Sequence, residues 1–400
     1  GTKFKYYSSR ELLRDDGIDH SRSMFYKIGG IAEIERAGGK TIAGVNPRAL
    51  SRNQMIDAMR QYAGLMYEAG LADPTVDGTA GDEGTNGYID YYVEALRELG
   101  HPHPETCITG KSDMAPRAAA TGRGAAVVHR AHLRRTGLAH ASTAVQGSGF
   151  AGAYYAAEAH EPYDNRDHDV SISIPAIGDL DPKTGRPATL FTEHADGLPI
   201  TRKMVDGILK NGEADRDMQD EGGYKLAALA RKIERESGRE VHIVDKDVLT
   251  YEAADTLAPA ATSNVFTPQN LGSVSIPTLL EIGNHTVRSD AQELLAPLGI
   301  TLIPGELVNS GGVKMSIEEN RRDLARVEAA KSGGLYLPVP DHEYELRLRE
   351  TMVTATDRAM ALGEKYRLDT ALAIKAVALA NYAVAHGVRI NPDVHAMLAA

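Results

Sequence analysis

Three residues in the first quarter of the chain, Lys27, Lys40 and Asp82, pair amine and carboxylate chemistry with small neighbours. Lys40 follows Gly38 and Gly39 in AGGKTI, and a lysine packed against bare backbone in a desolvated cleft can have its pKa drawn down until it works near neutral pH. Asp82 lies in TAGDEGT, where small residues let a carboxylate reach a substrate amine, and Lys27 closes SMFYK. An amine beside a carbonyl stabilises the charge that develops on its oxygen, while a carboxylate beside an amine moves protons. Taken singly, each is more often a solvent-facing charge. They can act together only if folding brings them to one cleft.

A second set is local. STAVQGSGFAGAYYAAE holds GxGxxG at Gly147, Gly149 and Gly152, with Ser148, Phe150 and Ala151 between, directly after a strand pattern and at the opening of a helix. In a dinucleotide fingerprint the first glycine turns, the second admits the pyrophosphate and the third lets helix meet strand. The helix N-terminus then offers free N–H groups to the phosphates. The spacing predicts a nicotinamide cofactor, NAD, with NADP left open. The carboxylate for the adenosine ribose should end the second strand. Asp179, after VSISIPAIG, is the nearest; if PATLFTEHADG is the second strand, the role passes to Glu193 or Asp196.

The elements that must hold these residues follow from length and pattern. Four hundred residues exceed what one core usually organises, so two α/β domains are expected. Residues 51–70 place Met55, Met59, Tyr62 and Met66 at helical spacing, with Ser51 as N-cap and Gly70 as the stop. STAVQ, DVSISIPAIG, EVHIV, ADTLAP, SIPTLLEIG and ITLIPG read as strands alternating with helical stretches, which implies a doubly wound parallel sheet. PATLFT reads as a hairpin partner of DVSISIPAIG, an ornament or subunit contact, and the chain beyond NSGG is predominantly helical.

Bulk properties narrow the partners. A net charge of -11 repels phosphate backbones and anionic lipid, which argues against nucleic acid. No stretch reaches the roughly 18 uncharged apolar residues of a membrane helix. The single cysteine, Cys107, makes no internal disulfide, the histidines show no metal-ligand spacing, and neither a signal core nor a transit pattern opens the chain. The expected compartment is the cytoplasm, with no metal.

The motifs together resemble the glutamate/leucine/phenylalanine/valine dehydrogenase family. GTKFKYYSSRELL…SRSMFYK is similar to that family's segment running from G-T-R to M-T-Y-K, GGKTIAGVNPRALS to its catalytic-lysine motif, and TAGDEGT to the loop of its catalytic aspartate. ITGKSDMAPRAAATGRG resembles the segment joining its two domains. QGSGFAG, ADTLAPAATSN and LEIGNHTVRSDAQELLAPLGITLIPGELVNSGGV resemble its coenzyme and substrate motifs, in the family's order. One stretch departs: YKIGGIAEIERAGGK is a residue longer than usual and carries Glu33, Glu35 and Arg36 where an apolar, proline-bearing run is common.

The resemblance implies reversible oxidative deamination of an L-amino acid to its 2-oxo acid and ammonia. Lys27 matches the residue that grips the substrate carboxylate, Lys40 the one that polarises the 2-oxo group, and Asp82 the proton shuttle. Thr121, Ala260, Asn264, Asn284 and Asn309 match coenzyme or substrate contacts; Gly38 and Gly39 pack beside the substrate. Val313 and Ser316 match side-chain pocket positions, Ser316 pointing to a polar or acidic side chain and GGKTI to the leucine-type branch. The implied organisation is a substrate and assembly domain over 1–120, a Rossmann domain over 121–312, and C-terminal helices 313–400 returning to the first domain, in a homo-oligomer. Rival readings are an oxidoreductase of another imine or carbonyl and a non-catalytic nucleotide-binding subunit.

Overall fold

The computed structural model describes residues 2–399 apart from 36–38, 48, 74–78, 81–86, 111–115, 182–183, 210–224 and 251–252. Two units emerge, one of Gly1–Arg117 with Val313–Glu345 and the other of Ala118–Gly312 with Leu346–Ala400.

The first unit contains β1 (Thr2–Phe4), α1 (Arg10–Gly30), β2 (Thr41–Ala43), α2 (Arg52–Glu68), β3 (Thr79–Ala80), α3 (Ile89–Glu98) and β4 (Ile108–Thr109). It also takes in most of a long helix, Ser310–Ser332. The strands form two short parallel ladders, β1 with β2 and β3 with β4. α2 starts where its sequence predicts. Ser51 Oγ accepts from the Gln54 N–H and the Gln54 side chain accepts from the Ser51 N–H, a reciprocal cap that satisfies two donors otherwise left open. Its stripe of Met55, Met59 and Tyr62 is buried against Phe4, Ile89, Tyr92 and Leu96.

α1 is different. Ser9 caps it, yet the side it buries is polar, with His20, Ser23 and Lys27 spaced three and four residues apart along one face. Buried polar groups require partners, so a polar inner stripe marks a helix that faces a site as well as a core.

The second unit is built on α4 (Pro116–Thr136), β5 (His140–Gln146), α5 (Phe150–His160), β6 (Ser171–Leu180), β7 (Pro187–Phe191), α6 (Arg202–Leu209), β8 (His242–Val244), β9 (Thr256–Pro259), β10 (Thr278–Leu280) and β11 (Thr301–Ile303). They form a seven-stranded sheet in the order β11-β10-β9-β5-β6-β7-β8. All neighbours are parallel except at β7, which runs against both β6 and β8. β7 is thus a strand within the sheet, with Ala188 and Leu190 buried. Leu257, Phe266, Leu271 and Leu279 fill the core under the β9–β10 side.

The C-terminal helices divide differently from expectation. Residues 313–345 group with the first unit, but 346–400 group with the second instead of returning to the first. The reason is electrostatic and steric: within helix Asp341–Tyr366, Arg349 pairs with buried Asp167 at 2.7 Å and Glu364 with Arg135 at 2.8 Å, while Met352 packs near Gly124. Among the described residues no single helix is long and apolar enough to cross a membrane.

α4 and α5 touch backbone to backbone. At Gly122 an added Cβ would lie 2.5 Å from both the Ala151 carbonyl oxygen and the Tyr155 nitrogen, so only glycine permits the contact. Gly122→Ala is expected to cost about 1–3 kcal/mol, the usual penalty of overpacking, read as a lower urea midpoint at unchanged m-value.

Candidate functional site

In an open sheet with helices on both faces, the strand order reverses at one point and leaves a crevice at the carboxyl ends of the flanking strands. Here that point lies between β5, followed in sequence by β6, and β9. The GxGxxG turn sits on it. Gly147 leaves β5 with φ +103°, a conformation open to glycine, and its N–H donates to the Gly178 carbonyl at 2.7 Å. A Cβ on Gly152 would strike the Gly147 carbonyl oxygen, whereas one on Gly149 would meet nothing within 4 Å. Gly149 is also the N-cap of α5 and provides no side chain to occupy the helix's first N–H groups. Three glycines thus do three things: turn, leave room and pack. Phe150 is exposed and stacks on Tyr154, Ala151 faces Gly122, and Ser148 is buried.

Asp179 is the penultimate residue of β6, beside this turn. One of its carboxylate oxygens accepts from the Ser148 N–H at 3.1 Å and from the Ser148 hydroxyl, and the other from the Leu180 N–H at 2.8 Å. The alternatives Glu193 and Asp196 follow β7, which is antiparallel, so the chain beyond Phe191 emerges at the opposite end of the strands, where Asp196 is bound by Arg239.

Across the crevice, Ala260 follows β9 and donates its N–H to the Gln146 carbonyl at 2.7 Å. Asn264, exposed and left-handed at φ +58°, donates its N–H to the carbonyl of His285, itself left-handed at +51°. Two non-glycine residues held there mark a segment fixed by its surroundings. Asn309 Nδ2 donates to the Gly283 carbonyl at 3.1 Å and to Asn284 Oδ1 at 3.3 Å. Thr121 stands half-buried on the second turn of α4.

In the first unit, Lys27 is buried in the last turn of α1, and Lys40 stands half-buried directly before β2. Lys40 lies near His20 and helps to hold that imidazole below its ordinary pKa, after burial, the larger cause. His20 Nε2 is 3.1 Å from Lys3 Nζ and 3.5 Å from an Asp16 carboxylate oxygen. Asp16 takes the Lys3 charge at 3.3 Å and the Tyr7 hydroxyl. Burial works against its ionised form, but the His20 imidazole, with Tyr7 and Lys3, holds its carboxyl well below the usual range. Val313 and Ser316, three residues apart on helix Ser310–Ser332, are half-buried, and Ser316 Oγ accepts from Thr109 Oγ1 at 3.4 Å. Gly38 and Asp82 lie outside the described residues; β3 ends at Ala80, two positions before the aspartate. Among the described residues there is no group of His, Cys, Asp or Glu that could hold a metal ion.

Residues 216–389 match the family model described as Glutamate/Leucine/Phenylalanine/Valine dehydrogenase. That stretch of the chain is similar to the family. The chain is 25% identical over 354 residues to the catabolic NAD-specific glutamate dehydrogenase RocG of Bacillus subtilis, covering 86% of this chain and 71% of RocG. Its fold is that of glutamate dehydrogenase from Peptoniphilus asaccharolyticus, at TM-score 0.64 and 22% identity over 97% of this chain and 82% of that one. L-tryptophan dehydrogenase from Nostoc punctiforme is likewise similar in fold, at TM-score 0.60 and 16% identity, with 97% and 88% covered.

The dehydrogenase fold carries a residue that motif reading missed. Glu281, fully buried at the end of β10, accepts from the Gly305 N–H at 2.8 Å, the Val287 N–H at 3.1 Å and the Thr286 hydroxyl at 3.2 Å. Burial pushes its carboxyl up, with Glu306 adding to the effect and the three donors opposing it. It ties the strand end to both flanks of the Asn284–Asn309 pair. Its sequence signal was faint: a single acid after an apolar strand.

The crevice fits a nicotinamide dinucleotide on its own geometry. Room at Gly149 and the uncapped start of α5 suit a pyrophosphate. Asn309 Oδ1 is a buried acceptor with no hydrogen-bond partner among the described residues, suited to an amide N–H. Glu281→Ala would strand two buried backbone donors, with an expected loss of roughly 2–6 kcal/mol. Chemical denaturation measures that loss, and dinucleotide titration should show weaker binding than in Gly122→Ala.

Proposed function

We propose that this protein is an NAD(P)-dependent amino acid dehydrogenase, converting an L-amino acid and water reversibly into its 2-oxo acid and ammonia. The observation that carries the reading is the crevice at the ends of β5 and β9, with its bare helix start and facing carboxylate, in a chain related to that family. A nicotinamide coenzyme supplies hydride acceptance and donation at the substrate α-carbon. Lys27 grips the α-carboxylate, its buried amine offering a charge little screened by water. Lys40 stabilises the oxygen of the 2-oxo group as ammonia or water adds, and Asp82 exchanges protons with the nitrogen. Thr121, Ala260, Asn264, Asn284 and Asn309 orient coenzyme and substrate.

NAD is the favoured coenzyme. Asp179 retains acceptor capacity for the ribose hydroxyls, while a 2′-phosphate would meet its negative charge. For the substrate, the Thr109–Ser316 hydroxyl pair in the pocket favours a polar or acidic side chain. The protein assembles from identical copies, as the resemblance implies.

Three measurements test this. A screen of 2-oxo acids with ammonia, following NADH and NADPH separately, should show turnover with polar or acidic side chains foremost; much faster reaction with the leucine or phenylalanine 2-oxo acid would refute the side-chain assignment. Lys40→Ala should lower kcat about a hundredfold or more while coenzyme affinity holds. Asp179→Ala should raise the NADH KM about ten- to a hundredfold, the worth of a lost charge-assisted hydrogen bond, and leave the NADPH KM nearly unchanged.

A further inference from the structure

Glu33, seven positions before Lys40, stands where the sequence departs from the family pattern, and its side chain is buried. Its two oxygens accept from different cations on helix Ser310–Ser332: Lys314 Nζ and, at 2.6 Å, Arg321 Nη2. Glu318 closes the set, 2.7 Å from Lys314 and 3.3 Å from Arg321, and Glu35 lies 3.6 Å from Arg321 on the outside. Lys314, Glu318 and Arg321 are spaced four and three residues apart, so they form one stripe of the helix.

A separate stripe of the same helix holds Ser316, Glu319 and Asn320. Ser316 meets Thr109, Glu319 receives the Gly110 N–H on both oxygens at 2.8 and 3.0 Å, and Asn320 Nδ2 donates to the Thr106 carbonyl at 3.0 Å. Those partners flank β4, which is paired to β3 with Ala80 opposite Thr109, two residues before Asp82. The helix is thus bonded on one stripe to the segment that leads to Lys40 and on another to the strands that lead to Asp82. All of these groups belong to the first unit.

We propose that Glu33 and Lys314 are positioning residues: with Glu318 and Arg321 they lock helix Ser310–Ser332 to the Lys40 segment and so set the placement of Lys40 relative to Ser316. The inference rests on the dehydrogenase reading for its catalytic consequence, though not for the lock itself. Three buried charges closed by the half-exposed Arg321 are an expensive way to gain stability, since apolar packing of equal volume commonly serves as well. Directional bonds give something apolar packing does not, a single register between two segments. Reacting groups are sensitive to that register, because a misplacement of about 1 Å can cost about a hundredfold in rate.

The test uses the full chain with Glu33→Gln, Lys314→Met, the double variant and the conservative Lys314→Arg, each assayed for kcat and KM and for amide hydrogen exchange. Both disruptive single variants should lower kcat about ten- to a hundredfold with the NADH KM unchanged, the double variant should be no worse than the weaker single, and Lys314→Arg should keep most of the activity. Amides of residues 39–43 should exchange faster in Glu33→Gln and Lys314→Met than in the wild type. Additive losses, unchanged kcat with only a lower melting temperature, or unchanged exchange at 39–43 would each overturn the lock. If the wild type turns over no 2-oxo acid with either coenzyme, the dehydrogenase reading fails, and the exchange measurement still decides the lock.

Discussion

Everything in the second unit depends on how closely the backbone can approach itself at the end of β5. Gly147 must turn with positive φ, Gly152 must lie against the Gly147 carbonyl, and α4 must press on α5 at Gly122. Remove these contacts and α5 moves away from the sheet, taking with it the uncapped N–H groups that face the crevice. The sheet's reversal of order then supplies the opening, and β9 and β10 supply its other wall.

That second wall is held by polar bonds as much as by packing. Glu281 gathers donors from both sides of the Asn284–Asn309 pair, while the left-handed residues Asn264 and His285 share a backbone bond. Each of these features would cost free energy in an ordinary loop. Together they fix a short stretch of irregular chain firmly enough to present side-chain amides at set positions. Asn309 keeps one acceptor without a partner among the described residues.

The first unit solves a related problem with charge. Among the described residues its cations Lys3, Lys27, Lys314 and Arg322 are buried, and carboxylates stand close by: Asp16 for Lys3, Glu33 and Glu318 for Lys314, Asp323 for Arg322. A unit that gathers amines must place acids among them, or the cost of desolvation would exceed what its small core returns. The unusual acidic stretch before Lys40 finds its physical reason here. Glu33 is the counter-charge of a helix that also carries Ser316.

What the sequence determined by itself was local: the capping box at Ser51, the strand runs of the large sheet, and the glycine turn between a strand and a closely packed helix. Those features depend on residues within one or two turns of each other, so pattern suffices to read them. The choice of Asp179 over Glu193 and Asp196 was not legible, because it turns on β7 running antiparallel, a pairing between strands. Nor was the destination of residues 346–400, decided by ion pairs spanning almost two hundred positions, such as Arg349 with Asp167. Glu33 was visible in the sequence only as an oddity; its meaning lies 281 residues away on Lys314, a separation that only tertiary packing closes.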